Sequence, residues 1–185
     1  YIMWVKRLLK TIRALIKGFK YKKFGWTSNI VHPMRIIGKK YISIGENVFI
    51  LNGLRMEAIS DWNGKDYHPG IIISDRVTIG QNCHITCANQ VKIGTGVSIL
   101  PDVLITDIEH EYVAGKSIGD TGLNVGSVSV GDYTIIGMGA KVLGHKNIVI
   151  GRNVVIGSNA VVIDSIPDNP VAVGIPARVV KKVNG

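Results

Sequence analysis

The feature that most constrains this chain is a six-residue period. The segments 44–50, 77–85, 91–99, 128–136 and 148–156 each place an aliphatic residue six positions before another, and in most of them Gly follows the first. Hexads start at Ile44, Ile50, Ile73, Ile79, Ile93, Ile99, Val130, Ile136, Ile150 and Ile156. The fifth residue of each is apolar or small: Val48, Leu54, Val77, Cys83, Val97, Val103, Thr134, Ala140, Val154 and Ala160. Six is not a helical repeat. It fits a short strand plus a corner, with inward residues alternating with outward ones and Gly relieving the bend. Three such strands close one triangular coil, and stacked coils pair each strand with its equivalents above and below. The expectation is an all-β chain, a parallel β-helix of about five triangular coils over 44–165. An ordinary sandwich of alternating strands does not predict a fixed period of six.

Coil starts at 44, 73, 93, 130 and 150 are separated by 29, 20, 37 and 20 residues. Each interval exceeds eighteen, and every excess falls after the second hexad. One sector of the prism therefore carries all the insertions, the two long ones being about 57–72 and 106–129. Loops on a rigid scaffold are where binding residues gather.

The ends read differently. Of the +9 formal charge, Lys6, Arg7, Lys10, Arg13, Lys17, Lys20, Lys22 and Lys23 supply +8, leaving +1 for the rest. The basic pI is thus a property of residues 1–24 and indicates no nucleic-acid-binding face. Within 1–24, Val5, Leu8, Leu9, Ile12, Leu15, Ile16 and Phe19 have helical spacing. The segment predicts a basic amphipathic helix, too interrupted by charge to span a bilayer and lacking a signal-peptide cleavage pattern. Such a helix lies on an anionic membrane surface or packs on the body or a neighbouring subunit. Residues 25–43 are expected to cap the N-terminal end. Residues 166–185, with Pro167, Pro170 and Pro176, are expected to fold over the last coil and cover its sheet edge. Two cysteines, Cys83 and Cys87, make neither a disulfide framework nor a zinc site; a reducing, cytoplasmic setting is the simpler reading, and no metal is expected.

The hexads, with the ending "IPDNPVAVGIPARVV", resemble the hexapeptide-repeat acyltransferases, whose fold is a left-handed β-helix; the left hand follows from the resemblance alone. Within that family the stretch from Leu54 through "ITDIEHEY" looks most like O-acetyltransferases of bacterial surface-polysaccharide assembly. The resemblance implies transfer of an acetyl group from acetyl-CoA to a hydroxyl of a sugar or glycan precursor, in a homotrimer. It puts His110 at the position of the family's catalytic His. It puts acetyl-CoA in a groove between subunits, against Gly137, Gly139, Ala140, Ser158, Asn159 and Ala160, with Arg178 near its phosphates. Ile135 stands where many relatives carry Trp, and Asp164-Ser165 where many carry Thr-Lys.

For the carboxylate that orients His110, Asp107 is the first choice, with Glu57 and Glu111 as rivals. Trp62 and Tyr67 offer rings for stacking on an acceptor sugar, and His84 faces outward at the edge of the insertion sector in a supporting role. His32 and His145 read as surface residues. N-acyl transfer to an amino sugar and a non-catalytic binding β-helix remain alternatives. A zinc hydratase is disfavoured because no close His pair exists.

Overall fold

A computed structural model describes residues 20–182. The helix expected over 1–24 falls mostly outside these residues. At its C-terminal end the chain is strand, not helix: Lys23–Phe24 pairs parallel with Ser43–Ile44.

Three parallel sheets form the faces of a prism. The first holds Lys23–Phe24, Ile42–Ile44, Gly70–Ile73, Gln90–Ile93, Ser127–Val130 and Asn147–Ile150. The second holds Asn29–Ile30, Phe49–Ile50, Thr78–Ile79, Ser98–Ile99, Ile135–Ile136 and Val155–Ile156, continued by Pro170–Val173 and the antiparallel Arg178–Lys182. The third holds Arg35–Ile37, Arg55–Ala58, His84–Cys87, Leu104–Thr106, Lys141–Leu143 and Val161–Val162. The chain visits the faces in rotation, so each strand stacks on its equivalent from the previous coil.

The hexad rule explains the packing. Ile44, Ile73, Ile93, Val130 and Ile150 stack in register on the first face, and Ile50, Ile79, Ile99, Ile136 and Ile156 on the second. All ten are buried, as are all ten fifth-position residues. Met56, Ile85, Ile105, Val142 and Val162 form the third column. The one polar member, Thr134, is satisfied: its hydroxyl donates to the Gly151 carbonyl at 2.8 Å and accepts from the Val154 N–H at 3.1 Å. Buried aliphatic columns and continuous strand ladders together hold the coil.

The fourth residue of every hexad turns the corner in the left-handed region: Asn47, Gly53, Arg76, Asn82, Gly96, Asp102, Tyr133, Gly139, Asn153 and Asn159. Asn, Asp and Gly tolerate that conformation best, which accounts for eight of the ten identities. The stack also starts one coil earlier than the hexads from Ile44. Lys23–Phe24, Asn29–Ile30 and Arg35–Ile37 lie under the first full coil, one strand on each face.

Candidate active site

All insertions leave at the corner between the third and first faces. The first carries a hairpin, Asp61–Trp62 paired with Lys65–Asp66, closed by Asn63 and Gly64, both at positive φ. Asn-Gly is the sequence that such a two-residue turn favours. The second carries the antiparallel pair Ile108–His110 and Leu123–Val125, with His110 opposite Leu123. The two insertions are tied at one atom. Trp62 Nε1–H and Asn63 Nδ2–H both donate to the Thr121 carbonyl, each at 2.9 Å.

Between the insertions and the outer side of the third face lies a cavity of about 300 Å³. Strand alternation decides its floor. Met56, Ile85 and Ile105 point into the core, so Arg55, Glu57, His84, Thr86, Leu104 and Thr106 point out and line the cavity. The insertions add Ile59, Trp62, Ile108, His110 and Leu123. His110 packs edge-on against Trp62, ring centroids 5.0 Å apart at 61°. Its Nδ1 is buried without a hydrogen-bond partner. His84 Nε2 lies 2.7 Å from the Thr86 hydroxyl and 3.8 Å from Glu57 Oε2. Burial, and then the Arg55 charge, lower the His84 pKa below its ordinary value, opposed by Glu57. Glu57 is 5% exposed and forms ion pairs with Arg55 at 2.8 Å and Arg35 at 3.4 Å.

Asp107 is not the partner of His110. Its carboxylate is fully buried and accepts the backbone N–H groups of Ala88, Asn89 and Gln90 at 2.8, 2.9 and 2.7 Å, with the Cys87 thiol at 3.4 Å. The reason is local. Where the next coil departs into its long insertion, the tight corner at 88–90 loses the carbonyls that would stack on it, and one carboxylate replaces them. Burial raises the Asp107 pKa, opposed by these N–H donors. Glu111 approaches the backbone at Gly122 on the hairpin.

The remaining candidates separate. Tyr67 does not line the cavity; its ring carries Lys65 Nζ at 5.4 Å, and its hydroxyl is buried without a partner. His32, His68 and His145 are exposed. Both cysteines are buried, which pushes the Cys83 thiol up to about 11 and raises Cys87 too, so neither supplies a thiolate at neutral pH. No cluster of three His, Cys, Asp or Glu suited to a metal occurs among the described residues.

Gly137, Gly139 and Ala140 form one second-to-third-face corner, and Ser158, Asn159 and Ala160 the corner stacked on it. Ala140 and Ala160 point into the core and can offer only backbone outward. A Cβ at Gly137 would lie 2.6 Å from Ser158 N, so the corners stack at a separation only glycine permits there. Ser158 and Asn159 are exposed. The tail runs beside this strip through bonds between Val161 and both Gly174 and Ala177, which brings Arg178 alongside; its guanidinium contacts Asp164 at 3.5 Å.

No protein-family model matches the sequence. A protein of Escherichia coli (strain K12) assigned to lipopolysaccharide biosynthesis as the O-acetyl transferase WbbJ is 33% identical over 161 residues, covering 82% of this chain and 77% of the relative. The chain belongs to the hexapeptide-repeat acyltransferase family. Serine acetyltransferase of Mycobacterium tuberculosis is 36% identical over 119 residues, covering 63% of this chain; the match spans only 45% of that relative. Among solved structures, a maltose O-acetyltransferase from Clostridium difficile 630 has a TM-score of 0.59 at 26% identity, covering 90% of this chain and 72% of that one. AntD, an N-acyltransferase from Bacillus cereus in complex with dTDP and 3-hydroxybutyryl-CoA, has a TM-score of 0.71, covering 93% of this chain and 88% of its own; at 18% identity it attests the fold alone. The β-helix of this family member therefore brings His110, Trp62 and His84 to one cavity and leaves Tyr67 and Asp107 outside it. Arg55 and Thr86 were not singled out from the sequence. Their outward parity beside Met56 and Ile85 was the available signal.

Proposed function

We propose that this chain transfers an acetyl group from acetyl-CoA to a hydroxyl of a sugar or glycan precursor. The observation that carries the reading is His110: its ring lines the cavity that the two long insertions enclose, with Nδ1 buried and unpartnered. A hydroxyl titrates far above neutrality, so its proton must leave as its oxygen attacks. Imidazole, with an ordinary pKa of ~6.5, is the side chain suited to accept it. Acetyl-CoA supplies an acyl group already activated as a thioester, so the chain needs no nucleophile of its own, consistent with the raised cysteines. His110 takes the hydroxyl proton as the new C–O bond forms, and returns it to the sulfur as the C–S bond breaks. The products are the acetyl ester and free CoA thiol.

The cavity suits a polyhydroxylated acceptor, with an aromatic ring and aliphatic walls beside a carboxylate, hydroxyls and imidazoles. In this reading the glycine-stacked corners at 137–140 and 157–160 receive the pantetheine arm, which needs close backbone approach, and Arg178 meets the phosphates. That strip is one open wall. A second copy of the chain supplies the other, in the trimer of left-handed β-helices that the resemblance implies. Cytoplasmic acetyl-CoA sets the compartment. No helix among the described residues is long and apolar enough to cross a membrane. Contact with a membrane surface through residues 1–24 remains part of the proposal, tested by liposome binding before and after their removal.

The direct test is thiol release from acetyl-CoA against a panel of free and lipid-linked sugars, with mass spectrometry of the product. Acceptor-dependent release and an ester product are expected. Release with amino sugars alone, giving an amide, would replace this reading with N-acyl transfer. No acceptor-dependent release would overturn both.

A further inference from the structure

The cavity carries charge that proton abstraction by His110 does not require. Glu57 is buried between two guanidiniums, Arg55 Nη2 at 2.8 Å from Oε2 and Arg35 Nε at 3.4 Å from Oε1. Arg35 flanks Glu57 from outside the lining, its side chain 60% exposed; counting it, the cluster of one carboxylate and two guanidiniums keeps one positive charge, and no other acid lines the cavity. Arg55 is only partly engaged. One terminal nitrogen is on Glu57, while its Nε–H is buried with no partner. A buried donor left unmatched is unfavourable until an acceptor oxygen meets it. His84 sits opposite Arg55 in the next coil; burial first and then the Arg55 charge lower its pKa, with Glu57 opposing them.

We propose that Arg55, held by Glu57 and backed by Arg35, forms a subsite for an anionic oxygen group, a carboxylate or a phosphate, on the acceptor. Guanidinium is the side chain best matched to such groups, because its N–H donors lie in one plane. Glu57 fixes the guanidinium, and Arg35 keeps the cluster positive once Glu57 is counted. The subsite lies in the same cavity as His110, so an acidic glycan unit held there presents its hydroxyls to the imidazole. This inference rests on the proposed acetyl transfer only for the role of the bound molecule, not for its binding.

The test is saturation-transfer NMR on the full chain without acetyl-CoA, using glucose, glucuronate and glucose 1-phosphate. At least one acidic sugar is expected to bind roughly 10-fold or more tightly than glucose. The two acidic arms tell carboxylate from phosphate. The preference should shrink as ionic strength rises from about 0.05 to about 0.5 M, a measurement that needs no variant. Arg55→Met should collapse the ratio to near one. Arg55→Lys, which keeps the charge and Glu57 paired, should retain part of it. A ratio near one in the unaltered protein, or a full ratio surviving in either variant, would overturn the subsite. An acidic preference in a protein that releases no thiol with any acceptor would overturn the proposed reaction and leave the subsite standing.

Discussion

Replacing Asp107 separates a structural carboxylate from a catalytic one. In Asp107→Ala three backbone N–H groups lose their acceptor together. The Ala88 N–H is fully buried and loses about 2 kcal/mol; the other two lie nearer the surface, where water replaces the carboxylate at about 0.5–1 kcal/mol each. The sum is about 3–4 kcal/mol. Asp107→Asn is gentler. Its amide oxygen can keep the Oδ2 position, which serves Asn89 and Gln90, but its NH₂ then faces the Ala88 N–H, donor against donor. A loss of about 1–3 kcal/mol follows. Equilibrium urea unfolding at fixed protein concentration measures both. With a slope of about 2–3 kcal/mol per molar, the Ala midpoint should fall by about 1–2 M and the Asn midpoint by less. Folded Asp107→Asn should keep most of its turnover. If Asp107→Asn instead unfolds at the unaltered urea concentration and loses turnover by roughly 10²-fold or more, the carboxylate acts on His110 and the corner assignment is wrong.

Two further outcomes follow from the same geometry, and a third from the proposed trimer. Gly96 turns its corner at φ +68, and a Cβ there would lie 2.8 Å from the Tyr133 ring; Gly96→Ala should lose about 1–2 kcal/mol in urea unfolding from the left-handed backbone alone. His84 has a folded pKa below its unfolded value of ~6.5, so the unfolded chain binds the extra proton between the two. Stability should therefore be full above about pH 6.5 and fall as pH drops below it; His84→Asn should flatten that slope in thermal melts between pH 7.5 and 5. Light scattering at micromolar concentration should give three times the chain mass, and a monomer would contradict the shared coenzyme groove.

Much of the scaffold was legible because a period of six permits few alternatives: the hexad starts are the buried columns, and the uneven coil spacing located the corner that carries the cavity. The earliest coil was harder to read. Phe24, Ile30 and Ile36 also stand six apart, with Gly25 after the first, but an aromatic start and Pro33 obscure the repeat. Asp107 was misassigned because proximity in sequence to His110 outweighed alternation. Ile105 points in and Thr106 points out, so Asp107 points in. The bond from Trp62 to Thr121 joins residues 59 apart, and nothing in either local sequence marks it. Glu57 reads as an outward strand residue; its burial depends on the insertions that cover it.

The measurement that bears most directly on the account is the turnover of His110→Ala, with acetyl-CoA at saturation and the best acceptor from the panel. Circular dichroism should show the coil intact, because His110 lies on an insertion hairpin outside the buried columns. The acetyl-CoA KM should change little, since the glycine-stacked strip is formed by other coils. The turnover number is predicted to fall by roughly 10²–10⁴-fold, the usual size of a general-base contribution. A folded His110→Ala protein that keeps more than about half of its turnover, far outside that range, would contradict the central claim and make His84 the residue to test next.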